Sequence, residues 1–304
     1  MPVVETPSTS PPDGVIVVDK PSGPTSHDVV VAVRRLLATS RVGHTGTLDP
    51  LATGVLGLVV GRATRLARFM ASGRKTYEAD ITLGVATDTY DVEGEVVSRW
   101  DGDLPSRADV EVGLAQFRGS VAQVPPSYSA KKVGGVAAHR LARRAQPVSL
   151  APAAVEVHAI RLIDYRAAVA RVEVTASAGF YVRSLAHDLG VALGCGAHLS
   201  RLRRTRSGEF VIAEAVGLEQ LATNPLGYLR PTDTLLGWAR GARLTPRAAD
   251  KARHGGTLEP ADVVEWFDGD DEGPLRLLDA QGRLLGVVES AGRPWPLHPD
   301  VVVA

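Results

Sequence analysis

The chain has 304 residues, 44% of them hydrophobic, with 34 basic and 34 acidic side chains and a single cysteine. That length exceeds the usual single domain and allows one large core or two smaller ones. Cys195, read as a small buried apolar side chain, excludes an intramolecular disulfide and a cysteine-based zinc site. No apolar run reaches membrane length, and Met1 to Asp13, rich in Pro, Ser and Thr, lacks the basic and apolar regions of a signal peptide; a soluble, cytoplasmic protein with a flexible leader over 1–13 is expected.

The zero net charge hides an asymmetry. Residues 1–210 carry 25 Lys and Arg against 20 Asp and Glu, whereas 211–304 carry 9 against 14. The stretch Lys131 to Arg206 is the sharpest, with 13 basic and 4 acidic residues. It reads either as a field that attracts a polyanion or as a solvated basic face.

In chain order, Gly14 to Asp19 reads as a buried strand, followed by the turn Lys20-Pro-Ser-Gly-Pro-Thr-Ser26. Lys20 either meets a phosphate or flanks the strand. Thr25 or Ser26 caps a helix from about His27 to Ala38, with Val29, Val30, Val33 and Leu37 near one face. Then comes Arg41-Val-Gly-His-Thr-Gly-Thr-Leu-Asp-Pro-Leu-Ala-Thr-Gly-Val-Leu56, which concentrates an imidazole and a carboxylate among glycines that free the backbone to turn. Asp49 before Pro50 is open to two readings: a local turn residue, or an acid mounted for chemistry on a loop anchored by the apolar strand from Gly54 onward. Ala63 to Ala71 has helical spacing, and Lys75 to Leu83 alternates as a half-buried strand carrying Tyr77.

Thr87 to Glu95 holds four acids. Their spacing does not fit the calcium loop, so an acidic turn without a metal is expected. A capped helix over Ser106–Phe117, an extended loop Val124–Lys132, a short helix over Ala137–Ala145 with Arg140, Arg143 and Arg144, and paired strands Val155–Asp164 and Ala168–Ala176 follow. Gly179-Phe-Tyr-Val-Arg-Ser-Leu-Ala-His-Asp-Leu-Gly190 reads as a helix with Tyr181 and Arg183 in its first turn. His187 and His198 lack partners at metal-ligand spacing. His198 to Gly208 interleaves four arginines with small and apolar residues, as in a strand with apolar side chains inward; Arg203 and Arg204 are the candidate phosphate contacts. Beyond Pro231 a small domain is expected, with a helix near Pro246–His254 and strands near Val263–Phe267, Leu275–Asp279 and Leu284–Glu289.

The string Gly43-His-Thr-Gly-Thr-Leu-Asp-Pro-Leu-Ala-Thr-Gly54 resembles the active-site motif of the TruB family of tRNA pseudouridine synthases. Lys75-Thr-Tyr-Glu-Ala79, Gly179-Phe-Tyr-Val-Arg183 and the His198 to Gly208 segment resemble further motifs of that family in the family's order, over roughly Gly14 to Phe210. The resemblance implies an α+β pseudouridine synthase fold, with a mixed, largely antiparallel sheet, flanking helices and a small C-terminal PUA-like domain. The expected division is 14–230 for the catalytic domain and 231–304 for the accessory one. The acidic balance of the latter departs from a strong RNA binder.

The resemblance further implies that uridine-55 in the T loop of tRNA is converted to pseudouridine, with Asp49 as the catalytic carboxylate. It implies that Tyr77 stacks on the uracil, Arg183 pairs with Asp49, Tyr181 and Leu202 wall the pocket and His44 fills the space of the flipped base. Lys20, Arg203 and Arg204 join them as substrate contacts. No cofactor, no metal and no obligatory protein partner is expected, and the protein would act as a monomer on the tRNA T arm. Two other readings stay open: a guide-dependent RNA pseudouridine synthase subunit, and a non-catalytic tRNA-binding or folding protein.

Overall fold

The strict alternation of Lys75–Leu83 makes one face of that strand wholly buried: Lys75, Tyr77, Ala79, Ile81 and Leu83 point inward. The computed structural model describes residues 13–129, 131–133, 136–138, 141, 150–289, 292 and 294–304. They form two compact units. The first comprises the described residues of Met1–Asp49, Val55–Ser72 and Glu209–Ala304; the second comprises those of Pro50–Gly54 and Gly73–Gly208. Twelve of the thirteen leader residues lie outside the described set, as do Arg140, Arg143 and Arg144 of the expected helix over Ala137–Ala145. At the start of that stretch, Val136–Ala137 pairs antiparallel with Lys132–Val133.

In the second unit Lys75–Leu83 is flanked on both sides. Val169–Ala176 runs antiparallel to it with Val174 opposite Tyr77, and Ala197–Ser207 runs antiparallel with Leu202 opposite Ala79 and Arg204 opposite Tyr77. Ala153–Arg166 and then Gly119–Gln123 extend the sheet outward. Thr53 and Gly54 pair in parallel with Arg203 and Arg204. A side chain at Gly54 would land on the carbonyl of Arg204, and φ is +102°, so glycine is required there. Helix Arg107–Ala115 opens with a reciprocal cap between Ser106 and Asp109. It approaches helix Val182–Ala192 closely at Gly113, where a Cβ would meet Leu189 and Leu193.

In the first unit, Gly14–Lys20 is buried almost throughout. It pairs in parallel with Val216–Gly217 and antiparallel with Arg230–Pro231. Val42–His44 pairs antiparallel with Thr53–Val60, whose last seven residues are all buried, as the apolar run from Gly54 requires. Helix Ser26–Leu36 is capped by Thr25, with Asp28 reciprocating; the bonds from the Thr25 side chain and backbone hold the Asp28 carboxyl below its usual range.

The C-terminal part of this unit is a five-stranded sheet in the order Val263–Phe267, Ala239–Leu244, Asp270–Leu278, Leu284–Val288 and Val301–Val302. Helix Pro246–Arg253 buries Ala248, Ala249 and Ala252 with Leu244, Leu275, Leu277 and Leu285. A second cluster unites Leu235, Leu278, Leu284 and Val287 with Val15, Val17, Val55, Val59 and Phe210. That shared apolar core joins residues of 235–303 to Gly14–Lys20 and Val55–Val60. No helix among the described residues is long and apolar enough to cross a membrane.

Candidate active site

The loop that carries Asp49 is held by a residue 22 positions earlier. Ser26 Oγ accepts from the Leu48 amide at 2.8 Å and donates to the Leu48 carbonyl at 3.1 Å. A buried hydroxyl with both capacities used fixes the peptide immediately before Asp49. Of the two expected caps, Thr25 and Ser26, it is Thr25 that caps the helix, which leaves the Ser26 side chain for the loop. Thr45 anchors the other shoulder, its amide bonding the Gly57 carbonyl at 3.0 Å. Asp49 itself is partly exposed.

His44, also partly exposed, accepts from the Gly46 amide through Nδ1 at 3.3 Å, which puts the proton of the neutral ring on Nε2. Lys20 differs from a surface phosphate contact. It is wholly buried, and Nζ donates to the Pro21 and Pro24 carbonyls, both at 2.8 Å, tying the turn that leads into Ser26.

In the second unit Tyr77 and Leu202 are buried on the same sheet face, on adjacent strands. Arg204 joins them there. Bulges between Leu199 and Arg201 and between Arg204 and Arg206 reset the alternation, and Arg204, two residues beyond Leu202, turns inward. Arg204 is thus buried, whereas Arg203 is partly exposed and bonds Thr53 Oγ1 through Nη1 at 3.3 Å. Burial, and after it the charge of Arg204, brings the Lys75 ammonium down to about 8.

Arg183 opens helix Val182–Ala192, and its side chain is 5% exposed. Nη2 donates to the Tyr128 carbonyl at 2.8 Å, and Nη1 lies 3.4 Å from both the Thr89 carbonyl and Asp91 Oδ2. Asp91 is equally buried and accepts from Thr89 Oγ1 at 2.6 Å and from the Glu93 amide at 3.1 Å. The acidic turn is therefore wired to the helix through one acid. Neighbouring Tyr181 is fixed by its backbone: Gln123 Oε1 accepts its amide at 2.7 Å and Gln123 Nε2 donates to its carbonyl at 3.0 Å. Sequence reasoning missed Ser26, Asp91 and Gln123 in these roles. Each acts through a partner at least 22 residues away, and only a buried polar residue near a motif signals it.

His198 Nδ1 lies 2.8 Å from the Val85 carbonyl, and His187 stacks on Tyr90. No group of three or more His, Cys, Asp or Glu side chains among the described residues could hold a metal ion. The first unit thus offers one carboxylate on a braced loop. The second unit offers a buried aromatic and an arginine held by three oxygens.

A family model described as TruB family pseudouridylate synthase (N terminal domain) matches residues 34–182, and one described as tRNA pseudouridylate synthase B C-terminal domain matches residues 183–236. The tRNA pseudouridine synthase B of Thermobifida fusca is 42% identical over 300 residues, covering 96% of this chain and 99% of that relative. The protein of the same name from Symbiobacterium thermophilum is 50% identical over 246 residues, covering 80% and 82%. Among solved structures, a chain from the crystal structure of a Cbf5-Nop10-Gar1 complex shares the fold with a TM-score of 0.75 at 26% identity, over 95% of this chain and 83% of that one. On these matches, this chain belongs to the TruB family of pseudouridylate synthases.

Proposed function

We propose that this chain isomerises uridine-55 in the T loop of tRNA to pseudouridine, with Asp49 as the nucleophile. The observation that carries the reading is the pair of hydrogen bonds between the Ser26 hydroxyl and the Leu48 backbone, which braces the loop of a lone acid in a family of pseudouridylate synthases. The reaction breaks the bond between N1 and C1′, turns the base and joins C5 to C1′; the proton lost from C5 balances the one gained at N1. A carboxylate opens this sequence by attack at C1′ of the ribose or C6 of the base, with no net oxidation and no external energy.

In this reading Tyr77 stacks on the uracil and takes the C5 proton, Arg183 orients Asp49, and Tyr181 and Leu202 wall the pocket. Asp91, Thr89 and Tyr128 keep the guanidinium of Arg183 in one pose. Extruding the base costs a few kcal/mol, of which aromatic stacking returns about 1–3 kcal/mol. His44 occupies the vacated space through its Nε2 side. Arg203 contacts phosphate, while buried Lys20 and Arg204 brace the site from within. The enzyme works as a monomer in the cytoplasm on the T arm alone, and 231–304 serves as a PUA-like accessory domain.

The likeness to a chain from a Cbf5-Nop10-Gar1 complex at 26% identity supports, as the alternative, a subunit that works within a larger assembly. The match to a tRNA pseudouridine synthase B at 42% over almost the whole chain favours the tRNA reading. Purified protein is incubated with an unmodified T-arm RNA in excess chelator, and pseudouridine is quantified for wild type and Asp49→Asn. Product from wild type alone is expected. No product from wild type, with RNA binding intact, overturns the reading in favour of a guide-dependent subunit or a binding protein.

A further inference from the structure

Three consecutive residues of the acidic turn are gripped by two side chains one helical turn apart. Arg183 and His187 stand at i and i+4 on helix Val182–Ala192 and so share a face. Arg183 reaches the Thr89 carbonyl and the Asp91 carboxylate, each at 3.4 Å. Between those contacts, Tyr90 lies flat on His187, with ring centroids 3.9 Å apart and planes 15° from parallel.

The backbone at Tyr90 gives this stack a purpose. Its φ is +65°, a left-handed conformation that favours glycine or asparagine and is disfavoured for a bulky aromatic residue. The reversal swings the Thr89 carbonyl and the Asp91 carboxylate toward the same guanidinium. On the far side the Tyr90 carbonyl accepts the Leu199 amide and the Val92 amide donates to the Leu199 carbonyl, both at 2.9 Å, which stitches the turn to strand Ala197–Ser207. Glycine would make the reversal without strain; tyrosine makes it with a ring that His187 holds.

We propose that the Tyr90–His187 stack is a positioning device, which locks residues 89–91 so that Arg183 keeps its fixed set of oxygen partners. It rests on the reading of Arg183 as a member of the active site. Neither ring touches the reacting atoms in that reading, so both act through Arg183. The stack then sets the rate of the chemical step and leaves RNA affinity alone.

The test uses the full-length protein and T-arm RNA under single-turnover conditions. The variants are Tyr90→Gly, which accepts the backbone but loses the ring, His187→Ala, the double variant, and Tyr90→Phe and His187→Phe, which keep the stack. The first two are each expected to slow the chemical step about tenfold, because small misplacements of a positioned group cost at least that much, with RNA Kd unchanged. The double variant is expected to be no slower than either single one, and the two Phe variants to retain wild-type rates.

A second readout does not depend on turnover: the 15N-labelled guanidinium of Arg183 is expected to give one sharp NMR resonance in wild type and both Phe variants, broadened or shifted in Tyr90→Gly and His187→Ala. Unchanged rates and an unchanged resonance in His187→Ala, or losses that simply add in the double variant, overturn the proposal. Should Arg183→Ala retain full activity while His187→Ala perturbs the resonance, the role of Arg183 in catalysis fails and the stack remains its positioning device.

Discussion

Two acid-rich segments look alike in the sequence and differ in burial and in the partners of their carboxylates. Thr87–Glu95 carries Asp88, Asp91, Glu93 and Glu95; Asp268–Glu272 carries Asp268, Asp270, Asp271 and Glu272. In the first, Asp91 is buried, bonded by a hydroxyl and an amide and paired with buried Arg183. In the second, Asp270, Asp271 and Glu272 are all exposed, and Asp271 meets Arg240 at 3.0 Å with its own side chain 80% exposed. A run of acids thus carries no fixed meaning. What distinguishes the two is the Thr89 hydroxyl, the Glu93 amide and a buried guanidinium, which supply the partners that a buried carboxylate needs.

The sharpest way to break this contrast is Asp91→Ala. Removing one partner of a buried ion pair leaves the other charge uncompensated and costs about 3–5 kcal/mol. A drop of that size in urea-unfolding stability is expected, together with loss of pseudouridine formation; a loss below about 1 kcal/mol would mean that the pair is not desolvated in solution.

A buried cation sharpens the same point from the other sign of charge. The Lys75 ammonium is brought down to about 8 from an ordinary 10.5. Between those values the unfolded chain binds more protons than the folded one, so stability contributed by this group rises with pH from about 8 to 10.5 and the penalty is fully present below 8. The expected gain is on the order of 2 kcal/mol, read as the difference between wild type and Lys75→Met in unfolding measured at pH 7, 9 and 10.5. Parallel pH profiles for the two proteins would refute it.

The smallest effect belongs to the exposed acidic segment. Asp271→Ala is expected to change stability by less than about 1 kcal/mol, and to leave pseudouridine formation untouched. A thermal melt and the T-arm assay check both statements.

Much of the frame was legible because it is local. The alternation of Lys75–Leu83, the apolar run after Gly54 and the Thr25–Asp28 and Ser106–Asp109 caps are written in neighbouring residues, and each forms its element within a residue or two of expectation. The site was legible in its motifs and illegible in its wiring. Ser26 bonds Leu48, and Arg183 meets Asp91 across 92 positions; no spacing rule reports such contacts. Arg203 and Arg204 look interchangeable in sequence, yet pleating and two bulges bury one and leave the other partly exposed. The packing between distant segments was hidden for a related reason. The apolar residues of Leu235 and Leu278 to Val287 find their core among Val15, Val17 and Val59, far away in sequence.

Gly54, where the sheet backbone closes directly over the carbonyl of Arg204, has a consequence for anyone who diversifies this gene. No rotamer choice relieves a clash between a Cβ and a backbone oxygen, and the positive φ adds strain for every other residue type. A library randomised at this codon and selected for folded protein should return glycine alone, which makes position 54 an internal gauge of selection stringency.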